Sequence, residues 1–215
     1  MTAAIAPRTL RSRHLVLDDF LSPEAADAML AQMIAAEPNF APSEIGGAKT
    51  ARVNADYRSS LRLPGRVGVD LTPLTDAIGA QLDTLCVGVG LRAFPVIRRE
   101  LSIVAHRDGD FYKPHIDTQT GASDDRSIRV VSCVYYLHGA QRGFAGGELA
   151  IHPITGGAEP MLIEPLHNRL VIFPSFIPHE VLPTRSTGRF ADSRFSVNCW
   201  LHRARRPGPD TGDCA

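Results

Sequence analysis

The sequence contains no CxxC pair, no long apolar run and no surplus of either charge. Cys86, Cys133, Cys199 and Cys214 lie far apart, which argues against a zinc ribbon or a redox dithiol. Cys133 and Cys199 fall in apolar stretches with strand character and are expected to be small buried hydrophobes, whereas Cys214 ends a breaker-rich tail, RRPGPDTGDCA. No segment approaches the roughly 18 to 20 apolar residues of a membrane span. The opening MTAAIAPRTLRSRHLVLDDF also lacks an apolar stretch of signal-peptide length, so a cytoplasmic location is expected. With 23 basic and 23 acidic residues the formal net charge is zero, without the basic excess of a nucleic-acid binder. Partners therefore have to be argued from a site. No internal repeat and no polar linker divides the 215 residues, and one domain is expected: 1–95 an N-terminal strand, helices and a lid-like loop, 96–203 a core, and 204–215 a tail.

In HLVLDDFLSPEAADAMLAQMIAAE a strand precedes a helix, with Ser22 as N-cap, Pro23 at the first helical position, and Ala25, Met29, Leu30 and Met33 on one apolar face. A second helix is expected from Thr72 as cap and Pro73 as first residue, with Leu74, Ile78, Leu82 and Leu85 buried and Gly88 and Gly90 ending it. Between them, residues 38–60 have little periodicity, and loops of that length often cover a site. From residue 96 onward the pattern changes. VIRRELSIVAH, SIRVVSCVYYLH, GELAIHP, RLVIFPS, HEVLPT and SRFSVNCWLH are short Val-, Ile- and aromatic-rich runs separated by turn residues. These imply an α+β, mainly β fold: a double-stranded β-helix (jelly roll) core with the N-terminal helices packed on one sheet.

In FYKPHIDTQT, His115 and Asp117 are two apart, so in an extended segment both leave one face of the chain. An HxD pair alone is compatible with a solvated loop. His179, in FPSFIPHEVLP, begins a short strand after an apolar run and is the candidate third ligand. Two histidines and one carboxylate form the facial triad of non-haem Fe(II), with three positions left open, whereas zinc is more often tetrahedral. In SRFSVNCWLH, alternation puts Arg194, Ser196, Asn198 and Trp200 on one face and Phe195, Val197, Cys199 and Leu201 on the other. The first set suits a barrel interior that binds a carboxylate. His14, His152, His167 and His202 have no comparable arrangement and are assigned structural or surface places.

HID, VYYLHGAQRGFAGGELAIHP, IEPLHNRLVIFPSFIPHEVLPT and RFSVNCW together resemble the Fe(II)- and 2-oxoglutarate-dependent dioxygenases, prolyl 4-hydroxylase-like branch, over residues 97–202. The resemblance implies Fe(II) bound by His115, Asp117 and His179, with 2-oxoglutarate as cosubstrate, O2 as oxidant and ascorbate as a stimulant. It implies that Arg194 pairs with the far carboxylate of 2-oxoglutarate, with Arg189 as the alternative, and that Tyr136 helps to hold it. His106 stands where many relatives have a tyrosine, and His138 where they have an asparagine. His106 and Asn198 complete the expected cosubstrate set, and Tyr112, Arg58 and Trp200 are expected to meet substrate. The implied reaction is hydroxylation of an unactivated C–H bond, with succinate and CO2 as coproducts. A prolyl residue in a peptide or protein is the leading substrate, and a free amino acid or small metabolite is the alternative. A non-catalytic, cupin-like metal-binding or sensor protein is the competing reading, and a zinc hydrolase lacks a general base, because alternation turns Glu180 away from the triad.

Overall fold

The computed structural model describes residues 13–46, 51–118, 126–155 and 158–205. The N-terminal part supplies strand β1 (Leu15–Leu17), helix α1 (Pro23–Ala35), the short strands β2 (Ala41–Pro42), β3 (Arg58–Ser59) and β4 (Leu61–Arg62), and helices α2 (Thr72–Ala80) and α3 (Leu82–Gly88). The core then runs β5 (Arg98–His106), β6 (Phe111–His115), β7 (Ser127–Leu137), β8 (Phe144–Gly146) and β9 (Leu149–Ile151). It closes with β10 (Met161–Ile163), β11 (Arg169–Pro174), β12 (His179–Val181), β13 (Thr184–Ser186) and β14 (Arg194–Ala204). Seven strands form a large sheet in the order β1-β11-β7-β14-β5-β4-β2, five form a smaller one, β10-β9-β12-β6-β3, and β13 pairs with β8. This is the expected jelly roll with helices on one sheet.

The large sheet is covered on both faces, which is why its strands are apolar at nearly every position rather than at every second one. Val131, Cys133, Tyr135 and Leu137 of β7, Leu170 and Ile172 of β11, and Phe195, Val197, Cys199 and Leu201 of β14 join the helices in one core. The intervening Val134, Tyr136, Val171 and Phe173 turn the other way, into a second core with Leu149, Ile151 and Ile163 of the smaller sheet and Ile177 of the turn before β12. Alternation therefore places Arg194 and Ser196 of β14 on the interior side, between the sheets.

α1 begins as its sequence predicts. The Ser22 side chain accepts from the Ala25 N–H, Pro23 occupies the first turn, and Ala26, Met29, Leu30 and Met33 are buried. The single second helix does not form. It breaks at Gln81, whose φ of −110° ends α2 before α3 begins, shortly after the weak helix former Gly79. The break still leaves Leu74, Ile78, Leu85 and Cys86 buried. Thr72 is also not the cap. It lies inside the first turn, and its N–H donates to the Asp70 carboxylate at 2.9 Å. Within the expected loop at 38–60, β2 joins the large sheet, as does β4 just after it, while β3 joins the smaller one, so this stretch closes one edge of the roll and sets Arg58 opposite Tyr112. Cys86, Cys133 and Cys199 are buried free thiols, whereas Cys214, most of the 204–215 tail and the end of the TQTGASDDRS segment lie outside the described residues. No helix among the described residues is long and apolar enough to cross a membrane.

Candidate active site

β6 ends at His115 and β12 begins at His179, and the antiparallel register sets the two opposite each other. Their ring centroids are 4.3 Å apart. Asp117 follows in a turn fixed by its own N–H, which donates to the Ser175 carbonyl at 2.9 Å. Its Oδ1 is 3.8 Å from His115 Nε2 and its Oδ2 is 3.5 Å from His179 Nε2. The three ligand atoms lie within 4.8 Å of one another, close enough to share one ion. Both imidazoles are oriented by the chain itself. His115 Nδ1 donates to the Lys113 carbonyl at 2.8 Å and His179 Nδ1 to the Ile177 carbonyl at 2.9 Å, which leaves each Nε2 lone pair for a metal.

Asp117 is held with equal care. The Ser132 hydroxyl donates to Oδ2 at 2.6 Å and is tied to Ser175 at 2.9 Å. The Trp200 side chain also lies beside the carboxylate and helps to keep it ionised. Behind it, the Arg129 guanidinium lies 4.1 Å from the Trp200 ring centroid and pairs with Glu100 through two nitrogens. Burial, then the neighbouring His179, push the His115 imidazole down to about 3. Burial works to raise the Asp117 carboxyl, but His179, His115, the Ser132 hydrogen bond and Trp200 outweigh it and hold it below its usual range. A neutral imidazole beside an ionised carboxylate is the protonation state that a cation requires.

The large sheet supplies the second half of the site. Arg194 is 1 % exposed, an unusual place for a guanidinium. Its Nε donates to the Gly147 carbonyl at 2.7 Å, its Nη1 lies 3.3 Å from His106 Nδ1, and the guanidinium carbon is 4.7 Å from the Tyr136 ring centroid. Arginine has only donors, so His106 Nδ1 accepts and the ring proton sits on Nε2. Burial, then Arg194 and Arg58, hold His106 well below the ordinary histidine value, so it is neutral. Burial also raises Tyr136, which keeps its proton. Arg194 Nη2, His106 Nε2, the Tyr136 hydroxyl and the Thr184 hydroxyl are all buried without a hydrogen-bond partner. Each orphaned buried donor costs about 1–3 kcal/mol. A group of N–H and O–H donors around a cation fits a carboxylate, which accepts from all of them at once.

The expected residues thus fall into two sets, His115, Asp117 and His179 on the smaller sheet and Arg194, Tyr136 and His106 on the larger. Asn198 lies half-buried on the same face of β14 as Arg194. Trp200 lies beside the Asp117 carboxylate, and its structural task is to hold that ligand. Arg189 is exposed and paired with Asp192 at 2.8 Å, outside the cradle. Tyr112 stacks on His115, with centroids 3.6 Å apart, and Arg58 lies over Tyr112. His138 is used structurally, its Nε2 accepting from the His167 N–H at 2.8 Å, and Glu180 is bound to His152 at 2.9 Å. Of the flanking threonines, Thr118 donates to the Arg129 carbonyl at 3.2 Å, and Thr120 lies outside the described residues.

Ser132, Ser175, Thr184 and Gly147 were not legible as site residues. Gly147 has φ +70°, and a Cβ there would come within 2.7 Å of Arg194 Cδ and 2.8 Å of Thr184 Oγ1, so only glycine lets the arginine lie flat. The Gly146-Gly147 pair was the one available signal.

The jelly roll thus sets two histidines and a carboxylate at the end of the smaller sheet opposite a buried arginine cradle on the larger, a donor set that suits a non-haem metal ion beside a carboxylate-binding pocket. Residues 101–202 match the family described as the 2OG-Fe(II) oxygenase superfamily. An uncharacterised PKHD-type hydroxylase of Synechocystis sp. is 27 % identical over 195 residues, which cover 87 % of this chain. The match spans 62 % of that curated relative's length. Among solved structures, a Pseudomonas putida prolyl-4-hydroxylase superposes with TM-score 0.63 at 28 % identity, covering 89 % of this chain and 94 % of the other. A Trichoplax adhaerens prolyl hydroxylase in complex with a hypoxia inducible factor peptide fragment superposes with TM-score 0.67 at 21 % identity, covering 88 % and 83 %. The fold is that of the prolyl hydroxylases.

Proposed function

We propose that the chain is an Fe(II)- and 2-oxoglutarate-dependent dioxygenase that hydroxylates an unactivated C–H bond, with a prolyl residue of a peptide or protein as the leading substrate. The observation that carries this reading is the pairing of the two half-sites. The triad would hold Fe(II), and the unsatisfied donors of Arg194, His106, Tyr136 and Thr184 would hold the far carboxylate of 2-oxoglutarate. When bound, iron, 2-oxoglutarate and O2 supply an oxidation that places one oxygen atom in the substrate and one in succinate, with release of CO2.

The protein's own part is binding, orientation and exclusion of water. His115, Asp117 and His179 would supply two imidazole nitrogens and one carboxylate oxygen to the metal. The carbonyls of Lys113 and Ile177 lock the imidazole tautomers, while Ser132 and Trp200 fix the carboxylate. Arg194 meets the cosubstrate with its charge pre-oriented by Gly147 and His106, so little ordering is left to pay on binding. Tyr136 and Phe173, both fully buried, keep the interior dry. No protein acid or base is called for.

The prolyl assignment draws on the prolyl hydroxylases among the structural relatives and on the shared fold. It is tested by incubating the protein with Fe(II), 2-oxoglutarate and a panel of proline-containing peptides, and following each by mass spectrometry. Gain of one oxygen on a prolyl residue, with one succinate formed per hydroxylation, supports it. Oxygen gain only on free amino acids or small metabolites would replace it.

A further inference from the structure

We propose that Arg58 is a specificity residue that binds a carboxylate of the substrate, so that the substrate is an acid whose anionic group lies beside the carbon to be oxidised. The inference rests on the oxygenase reading above and narrows its substrate class.

Arg58 opens β3 and is registered opposite Tyr112 of β6. Its guanidinium carbon lies 4.7 Å from the Tyr112 ring centroid, and Tyr112 stacks on the metal ligand His115 at 3.6 Å with only 19° between the planes. Tyr57 braces the assembly, packing edge-on to Tyr112 at 5.8 Å and donating to the Pro114 carbonyl at 3.0 Å. The cation is thus held one aromatic ring away from the metal-binding imidazole.

What Arg58 lacks is a counter-charge. Its hydrogen bonds go to neutral acceptors, Nε to the Ser60 hydroxyl at 3.1 Å and Nη1 to the Glu44 carbonyl at 3.5 Å. The nearby carboxylates are engaged elsewhere: Glu44 pairs with Arg62, Glu100 with Arg129, and Asp110 accepts from Ser59 and the Arg107 N–H. Among the described residues none lies within ion-pair distance of Arg58. Its position over Tyr112, which itself stacks on His115, places the charge toward the site rather than away from it. Burial lowers the Arg58 pKa, the mark of a cation partly stripped of water without an anion in exchange.

Charge counting agrees. A divalent metal and Arg194 contribute three positive charges, Asp117 and a bound dicarboxylate three negative ones, and Arg129 cancels Glu100. Arg58 remains as one positive charge, and a substrate carboxylate would neutralise it. A guanidinium recognises a carboxylate through two parallel N–H bonds, which fixes orientation as well as charge.

The test uses the only tryptophan in the sequence, Trp200, as a fluorescent reporter beside Asp117, in the full chain loaded with Mn(II) and 2-oxoglutarate without oxygen. Two matched pairs are titrated: N-acetylproline against N-acetylprolinamide, and acetyl-Pro-Asp-amide against acetyl-Pro-Asn-amide. The charged member of at least one pair is expected to bind about tenfold or more tightly, the usual worth of a charge-assisted hydrogen bond. Arg58→Gln should abolish that preference and Arg58→Lys should retain part of it, with Mn(II) affinity unchanged. Preference in the first pair assigns a free acid, and in the second an acidic peptide side chain. Equal responses within both pairs, including no response at all, or a preference that survives Arg58→Gln, overturn the proposal. Hydroxylation of the same compounds by the Fe(II) enzyme is scored separately. A charge preference without oxidised proline keeps the carboxylate site and removes the prolyl reading.

Discussion

Arg194 and His106 face each other across β14 and β5, with Nη1 3.3 Å from Nδ1, and the arginine thereby sets the tautomer of the histidine. The result is that His106 presents an N–H, not a lone pair, beside the second guanidinium nitrogen. We expect Arg194→Gln to weaken 2-oxoglutarate binding by on the order of tenfold to a hundredfold, as loss of a charge-assisted hydrogen bond implies. Arg189→Gln should leave it unchanged, because Arg189 is exposed and occupied by Asp192. Trp200 fluorescence titration of both variants gives the ranking, and the reverse order would move the anchor to Arg189.

Gly147→Ala should act like a second hit on Arg194. The new Cβ would sit at φ +70° and within 2.7 Å of Arg194 Cδ, so either the loop or the arginine must shift. A stability loss of about 1–3 kcal/mol is expected, together with weaker 2-oxoglutarate binding. Chemical denaturation and the same titration report the two effects, and an unchanged 2-oxoglutarate affinity would show that the glycine serves only the turn.

Ser132→Ala removes the hydroxyl that donates to Asp117 at 2.6 Å. Partners of metal ligands typically contribute about tenfold to a hundredfold in metal affinity. A competition titration with a chelating dye measures it. Affinity equal to that of the unaltered protein would show that Trp200 and the backbone turn fixed by the Asp117 N–H position the carboxylate unaided.

The fold should lose stability in mild acid. His106 and His202 are buried and held below their ordinary value, first by burial and then by Arg194 and Arg58 in one case and Arg98 in the other, with Glu100 opposing at His202. The unfolded chain takes up these protons near pH 6.5 and the folded chain does not. The stabilisation is therefore complete above pH 6.5 and drains away as pH falls toward the depressed folded values. Each histidine contributes a slope of up to about 1.4 kcal/mol per pH unit in that window. Denaturation midpoints at pH 8, 7, 6 and 5 should fall only below 6.5, and His106→Gln should flatten the slope.

The legible parts of this protein were those written in periodicity. The alternation of SRFSVNCWLH placed Arg194 and Trp200 on the interior face and Phe195 and Val197 in the helix-side core, and Ser22 with Pro23 marked the start of α1. The juxtaposition of His115, Asp117 and His179 was legible through the resemblance over residues 97–202, because the HxD spacing alone is compatible with a solvated loop. Thr184 was not, because β13 is three residues long and pairs only with β8, so no periodic pattern surrounds it. Ser132 was hidden differently. It lies in a strand buried on both faces, where a serine resembles a tolerated small residue until its distance from Asp117 is known. The break at Gln81 escaped because Leu74, Ile78, Leu82 and Leu85 keep helical spacing across it.

The central claim is that one triad and one cradle act together on a metal and 2-oxoglutarate, and the most direct test is CO2 release from carboxyl-labelled 2-oxoglutarate under oxygen with Fe(II). The account predicts release matched by succinate in the unaltered protein, and none above background when His115, Asp117 or His179 is changed to Ala. Release that persists in any of the three variants, or a folded, iron-loaded protein that binds 2-oxoglutarate and consumes none of it across a broad substrate panel, would contradict it.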